Sequence, residues 1–183
     1  MPIRLTPLDP TGADREALIS FMTSQSFPFH VRTDPTAAQI AEAIDDGAYA
    51  DEDHASFWID SDADGRIGFF RLEDLSDDAP LFDLRLDAAH RGRGLAADVL
   101  RVATDHVFTT MPEVNRFEGQ TREDNIAMRR VFVRCGWVQE AYYREGWPTD
   151  DGRLLASVAY SVLRRDWRDG TVTPVVWDPP REA

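Results

Sequence analysis

The sequence contains no lysine and a single cysteine, Cys135, so all 20 of its basic residues are arginine. The absence of lysine excludes Schiff-base chemistry on a lysine, and it excludes the P-loop, whose lysine reaches the β- and γ-phosphates. A lone cysteine excludes an internal disulfide and a zinc site built from several cysteines.

Other absences narrow the function further. The four histidines are scattered, and neither HExxH nor GxSxG occurs, so zinc hydrolases and serine hydrolases are not indicated and we predict no metal site. No stretch approaches the ~18–20 apolar residues that span a bilayer. The opening residues lack an apolar run behind a basic start. We therefore expect a cytoplasmic protein with no membrane partner.

Positive charge is also scarce overall, because 33 acidic residues against 20 arginines give a formal net charge of −13. A nucleic-acid binder needs a basic face, so we predict no nucleic-acid partner. The charge is uneven along the chain. Residues 42–83 hold 14 acidic side chains and two arginines, whereas residues 84–134 hold seven acidic side chains and nine arginines. The second segment suits an anionic ligand, and the first forms either a solvated surface or a site for a cation.

The length of 183 residues is that of one domain. Hydrophobic periodicity predicts the order strand, two helices, three strands, helix, strand, helix, two strands. This order favours an α/β (α+β) fold with a single mixed, mostly antiparallel sheet flanked by helices. We assign residues 1–167 to the domain and expect 168–183, which contain three prolines, to form an irregular C-terminal tail.

A glycine-rich turn, HRGRGLA at residues 90–96, lies between the predicted strand Leu81–Leu86 and a helix that starts near Leu95. Glycines let a backbone approach a ligand closely, and a helix start offers N–H groups and a positive dipole end to phosphate. Arg91 and Arg93 add positive charge. The spacing matches neither GxGxxG nor GxxxxGK[ST]. The turn is thus a phosphate-binding loop of another kind or a plain structural turn.

Arg91-x-x-Gly94-x-Ala96 resembles the [QR]-x-x-G-x-[GA] motif of the GNAT superfamily of N-acetyltransferases. A second block is similar to the R-[IF]-E…N…R…G-[FW] pattern of the branch that includes ribosomal-protein N-terminal alanine acetyltransferases. It consists of Phe117-Glu118, Asn125, Arg130 and Gly136-Trp137. The resemblance spans about residues 1–167, and its specific part is 81–167.

The resemblance implies that acetyl-CoA is the co-substrate. It implies direct transfer of the acetyl group, in a ternary complex, to a protein N-terminus or a small cationic amine. A homodimer is the family-level expectation. The implied CoA-binding residues are the strand residues Leu84, Arg85 and Leu86, the loop residues Arg91, Gly92, Arg93, Gly94, Leu95 and Ala96, and also Asn125 and Arg130. Met128 stands where the family often has serine, so a non-catalytic acyl-CoA-binding sensor or interaction module is the alternative.

Glu118 is the first candidate for the base that deprotonates the amine, because it matches the family glutamate seven residues before Asn125. A structural ion pair is its alternative role. His30 is the second candidate, since the intrinsic pKa of histidine lies near neutrality. For the acid that protonates the leaving thiolate we favour Tyr143 over Tyr142. Neighbouring residues of a strand point to opposite faces, so only one of the two can point inward.

Overall fold

The computed structural model describes residues 2–177. Its elements follow the order predicted from the sequence, with a short 3-10 helix (Ala88–His90) added after β4 and one short α-helix added at the end. They are β1 (Ile3–Pro7), α1 (Arg15–Thr23), α2 (Ala37–Asp45), β2 (Ala55–Ser61), β3 (Gly65–Glu73), β4 (Leu81–Leu86), α3 (Leu95–Thr110), β5 (Arg116–Arg122), α4 (Ile126–Arg134), β6 (Val138–Pro148), β7 (Leu154–Leu163) and α5 (Arg164–Asp169).

The strands form two hydrogen-bonded sheets, with the orders β1-β2-β3-β4 and β5-β7-β6. Every pairing within them is antiparallel. The expected fold class, α/β with antiparallel strands flanked by helices, is confirmed. The expectation of one continuous sheet is wrong, because the ladder is interrupted between β4 and β5.

An aromatic cluster causes this interruption. The Glu118 N–H donates to the carbonyl of Pro80 just before β4 begins, at 3.1 Å. Beyond that point the Phe82 ring lies between the strands, with its centroid 5.4 Å from that of Phe117. Gly119 makes room for the ring, since a Cβ there would lie 2.5 Å from it. Side-chain packing therefore joins the sheets where a backbone ladder would otherwise continue.

The helices cover opposite faces of the first sheet. On one face, buried residues of α1 and α2 pack around Trp58 and Phe69. On the other face, α3 packs against Phe57 and Phe70 of the same strands. Because side chains of a strand alternate between faces, one pair of strands serves both cores. The loop between α1 and α2 is thereby placed on the face of β4 opposite α3.

The C-terminal segment is fastened by Asp166 of α5, which is 6% exposed. Its carboxylate accepts hydrogen bonds from the Thr171 hydroxyl at 2.8 Å and from both the N–H and the hydroxyl of Thr173 at 2.9 Å. Arg168 and Asp169, predicted to begin the irregular tail, instead belong to α5, residues 171–177 form no helix or strand, and residues 178–183 lie outside the described residues. In residues 2–177, every helix is too short or too polar to cross a membrane.

Replacing Gly119 with alanine tests the aromatic contact. The added Cβ has to displace buried rings, and overpacking of this kind costs about 1–3 kcal/mol. We expect G119A to lower Tm by roughly 2–4 °C per kcal/mol, as measured by calorimetry. The control is V133A on the exposed face of α4, which should change stability by less than ~0.5 kcal/mol. Equal stability of G119A and the wild type would contradict the described packing.

Replacing Asp166 with asparagine tests the C-terminal fastening through its pH dependence. Burial alone would raise the pKa of Asp166, but its hydrogen bonds to Thr173 and Thr171 outweigh burial and lower the pKa. A lowered pKa stabilises the fold above the unfolded-state pKa of ~3.9, and this stabilisation is lost as the pH falls through the folded-state value. We expect D166N to be less stable at pH 7, with the difference shrinking below pH ~4 in urea titrations. A constant difference across this range would count against ionisation as its cause.

Candidate functional site

The edge of β4 that faces β5 is the first part of the site. The Pro80 carbonyl points toward β5, whereas the Arg85 carbonyl points toward Gly68 of β3. Because backbone groups alternate along a strand, those of Phe82, Leu84 and Leu86 face β5. The Leu86 carbonyl accepts from Arg91 Nε at 2.9 Å. Phe82 and Leu84 thus keep backbone donors and acceptors for an extended ligand, while the predicted contribution of the Arg85 backbone is wrong, since it pairs with β3.

The glycine-rich loop lies at the end of this edge. Gly92 and Gly94 have φ angles of 72° and 83°, in the left-handed region that favours glycine. Gly94 is also the N-cap of the 16-residue helix α3. A Cβ on either glycine would meet nothing within 4 Å, so the loop is open to its surroundings. Its N–H groups lie at the positive end of the helix dipole, where an anion is stabilised.

The two loop arginines have different contacts. Arg91 donates from Nη1 to the Ser26 carbonyl at 2.9 Å and from Nη2 to Gln25 Oε1 at 3.1 Å, besides its bond to β4. It therefore fastens the loop to the segment that follows α1. Arg93 is 43% exposed and pairs with Asp64 at 3.1 Å. Of the two loop arginines, Arg93 is therefore the more accessible to a ligand.

A cavity of about 540 Å³ lies beside the β4 edge. Its walls come from four parts of the chain that are distant in sequence: the loop after α1, the segment from α2 to β3, the strand β4, and β5 with the start of α4. Trp147 near the end of β6 closes another side. Within residues 2–177, no group of three or more His, Cys, Asp or Glu side chains is arranged to hold a metal ion.

A charged network lies on one wall of this cavity, centred on Asp83, whose side chain is 11% exposed. The Asp83 carboxylate lies 2.9 Å from Arg85 Nη2 and 3.1 Å from His30 Nε2. Burial alone would raise the pKa of Asp83, but Arg85, His30 and Arg71 outweigh burial and hold the pKa well below its usual range. The carboxylate therefore stays ionised, and it binds the loop after α1 to the middle of β4.

The predicted catalytic residues lie at different distances from the cavity. His30 lines it, whereas Glu118 and Tyr143 are not among its lining residues in the described part of the chain. The Glu118 carboxylate pairs with Arg116 and accepts from Gln120 Nε2 at 3.2 Å. Tyr143 is 52% exposed. Glu118 is thus linked to the cavity only through Gln120, which does line it.

Of the remaining predicted residues, Asn125 lines the cavity and also caps α4, where its side chain accepts from the Met128 N–H at 3.2 Å. Arg130 instead borders a separate groove on the outer face of α4, together with Val133 and Arg134. Tyr142 donates its hydroxyl to Glu123 and so points to that residue. Of the predicted binding residues, Leu84, Arg85 and Asn125 line the cavity, whereas Leu86, the loop residues 91–96 and Arg130 are not among its lining residues.

Tyr49 is a cavity residue that the sequence analysis missed. Its ring is 5% exposed and lies 4.9 Å from the Arg71 guanidinium carbon. Burial raises the pKa of Tyr49, although Arg71 and Arg85 oppose the rise. The hydroxyl therefore remains protonated. Tyr49 lies between a helix and a strand without any motif around it, so no local sequence signal could have identified it.

The chain is similar to a known protein family in sequence and to solved structures in fold. Residues 3–138, about three quarters of the chain, match the model of the acetyltransferase (GNAT) domain. A search of the curated proteins finds no significant match.

Similar solved structures include a spermidine N-acetyltransferase from Vibrio cholerae in complex with CoA and spermine. It is 16% identical, has a TM-score of 0.77, and the match covers 91% of this chain and 98% of that one. A spermidine/spermine N-acetyltransferase from the same organism, in complex with manganese ions, is also 16% identical. Its TM-score is 0.72, and the match covers 92% and 96% of the two chains. At this identity the likeness shows a shared fold, and the match to the family model carries the assignment: the chain belongs to the acetyltransferase (GNAT) domain family.

Proposed function

We propose that this N-acetyltransferase binds acetyl-CoA and an amine together in the 540 Å³ cavity and transfers the acetyl group directly between them. The observation that carries the proposal is the edge of β4. The backbone groups of Phe82 and Leu84, unpaired within residues 2–177, lie between the cavity wall and the end of β4 that precedes the glycine-rich loop, so a ligand with a polar chain and a phosphate end can contact both. Acetyl-CoA, the co-substrate of this family, has that form.

The residues on this path fit the co-substrate. Backbone groups of Phe82 and Leu84 would pair with the amides of its pantetheine arm, as an added strand pairs with a sheet edge. The N–H groups of residues 92–96 would hold its pyrophosphate, with Arg93 beside them. Acetyl-CoA supplies the thioester that reacts. The chain supplies orientation and hydrogen bonds.

Two proton transfers accompany the reaction. The amine loses a proton as it attacks the thioester carbonyl, and the CoA thiolate gains one as the C–S bond breaks. In the proposed step, a backbone N–H in the gap beside β4 stabilises the negative charge on the carbonyl oxygen. We keep Glu118 as the proposed base, acting through water at the Gln120 side of the cavity, with His30 as its alternative. For the acid we keep Tyr143, and Tyr49 becomes its alternative because its protonated hydroxyl is in a residue that lines the cavity.

The acceptor and the branch of the family are part of the proposal. Similarity of fold to spermidine N-acetyltransferases supports an amine as the acceptor. A protein N-terminus and a small cationic amine both remain predicted acceptors, and the relation to ribosomal-protein alanine acetyltransferases remains a prediction from motifs. The homodimer and the cytoplasmic location are likewise predictions. Acceptor-dependent release of CoA separates an enzyme from a module that only binds acyl-CoA.

Thermal unfolding with acetyl-CoA tests the loop. A ligand at ~100 times its Kd stabilises by about 2.7 kcal/mol, which raises Tm by several degrees for a chain of this size. We expect this rise with acetyl-CoA and CoA but not with NADH, and we expect G94V to abolish it. The matched control is G152V, because Gly152 has the same open surroundings and a φ of 81° but lies in the β6–β7 turn. Loss of the rise in both variants, or in neither, would contradict a binding role for the loop.

The proposed base is tested by paired substitutions. With E118Q we expect kcat to fall by about 10²-fold or more, the usual contribution of general base catalysis, with the KM for acetyl-CoA unchanged. E140Q is the control, because Glu140 pairs with the same Arg116 at 2.9 Å without touching the Glu118 carboxylate. A large loss in H30Q with full activity in E118Q would assign the base to His30 instead.

A further inference from the structure

The balance of charge among the residues that line the cavity differs from that of the acidic segment 42–83. Of the 14 acidic residues between 42 and 83, only Glu73 and Asp83 line the cavity. Three arginines line it as well, Arg32, Arg71 and Arg85. The remaining acidic side chains of the segment lie elsewhere, so they cannot contact an acceptor inside the cavity. The strongly acidic composition therefore does not describe the binding site.

Both carboxylates that line the cavity already form ion pairs and hydrogen bonds with protein side chains. Glu73 pairs with Arg71 and accepts from its Nε at 3.0 Å. Asp83 accepts from Arg85 Nε at 2.9 Å, besides its contacts with Arg85 Nη2 and His30. A carboxylate offers about four acceptor positions, so little capacity remains on Asp83 for an ammonium group. A cationic acceptor finds no unpaired carboxylate among the described residues of this wall.

Donors, in contrast, are in excess. A guanidinium carries about five N–H groups. Arg71 directs two of its nitrogens toward Glu73 and the third toward the Ala48 carbonyl at 2.6 Å. Arg85 directs Nε and Nη2 to Asp83, and its Nη1 has no acceptor within residues 2–177. Arg32 has neither an ion pair nor a hydrogen-bond acceptor in that same part of the chain.

Arg32 is carried by a segment that is fixed on three sides. The neighbouring Thr33 hydroxyl donates to Asp150 of the β6–β7 turn at 2.6 Å. His30 contacts Asp83, and the Phe29 ring lies 5.0 Å from the Arg122 guanidinium carbon. These contacts fix the residues on either side of Arg32, so its exposed side chain starts from a defined point on the cavity wall. Within residues 2–177 its guanidinium is unpaired and can turn to an anion in the cavity.

We propose that the acceptor is an amine that also carries a carboxylate, and that Arg32 binds this carboxylate while the amine reaches the β4 edge. The proposal rests on the proposed acetyl transfer at the same site. Arginine matches a carboxylate because two parallel N–H groups can donate to its two oxygens. Arg71 and Arg85 are balanced by Glu73 and Asp83, so Arg32 supplies the excess positive charge of the lining. This excess disfavours a polyamine relative to an acceptor that carries a carboxylate.

A series of ω-amino acids and their primary amides tests the proposal. The series comprises the propyl-, butyl- and pentyl-chain members, in which a methylene chain separates the amine from the carboxylate or from the carboxamide. The two members of each pair have similar amines and differ in the distal charge. We expect kcat/KM to be at least about tenfold higher for the acid at the best chain length, as for one charge-assisted contact. The chain length with the largest ratio measures the distance from the thioester to Arg32.

Variants assign the effect to one residue. R32Q should remove most of the acid-over-amide preference and leave kcat/KM for the amides and the KM for acetyl-CoA within about twofold. R4Q is the control, since it removes the same charge from β1, where Arg4 pairs with Asp62. An equal loss for acids and amides in R32Q would overturn the assignment, because it would show a structural effect.

The carboxylate belongs either to a free amino acid or to an acidic side chain near a peptide N-terminus. A second pair of acceptors distinguishes these two cases. Peptides Ala-Asp-Ala-amide and Ala-Asn-Ala-amide serve as the second matched pair. A preference in either pair that R32Q removes supports the proposal. Faster turnover of spermidine than of every carboxylate-bearing acceptor overturns it, as does acetyl-CoA binding without turnover of any of them. Failure of acetyl-CoA to raise Tm would overturn the proposed function itself.

Discussion

The placement of Phe82 between the two sheets is the constraint on which the site depends. Its ring packs on Phe117 and over Gly119, and this packing prevents β5 from continuing the ladder of β4. A backbone edge without partners normally costs free energy when it is buried. Here it borders a cavity and can be satisfied by a ligand. The same aromatic contacts that stabilise the core therefore create the polar strip that we propose binds the co-substrate.

The ion pairs on the cavity wall have a second structural effect. Asp83 on β4 binds both Arg85 on its own strand and His30 on the loop after α1. Removing one partner of such a buried group leaves an uncompensated charge, so the network is held together as a unit. It fixes the proposed acceptor side of the cavity relative to the strand along which the thioester would lie. That wall is thus anchored to β4 by the contact between Asp83 and His30.

The sequence predicted the elements and their order, because periodicity and glycine positions are local signals. It also predicted the loop at residues 91–96, since a motif there is continuous in sequence. It could not predict the break between the sheets, which arises when Phe82 meets Gly119 of a strand distant in sequence. Nor could the sequence show that the guanidinium of Arg91 makes structural hydrogen bonds. It also could not show that Tyr49 and Arg32 line the cavity. Each depends on side chains that only the tertiary fold brings together.

The contacts of Arg91 also connect the glycine-rich loop with the segment that leads to one wall of the cavity. Its guanidinium spans from the loop that would hold the pyrophosphate to Gln25 and Ser26, at the start of the segment that carries His30 and Arg32. Ordering one end of this link restricts the other. Binding free energies at two linked sites are reciprocal, so any factor by which acetyl-CoA tightens acceptor binding is returned equally by the acceptor. A single arginine thereby links the loop that we propose for the co-substrate to the wall that we propose for the acceptor.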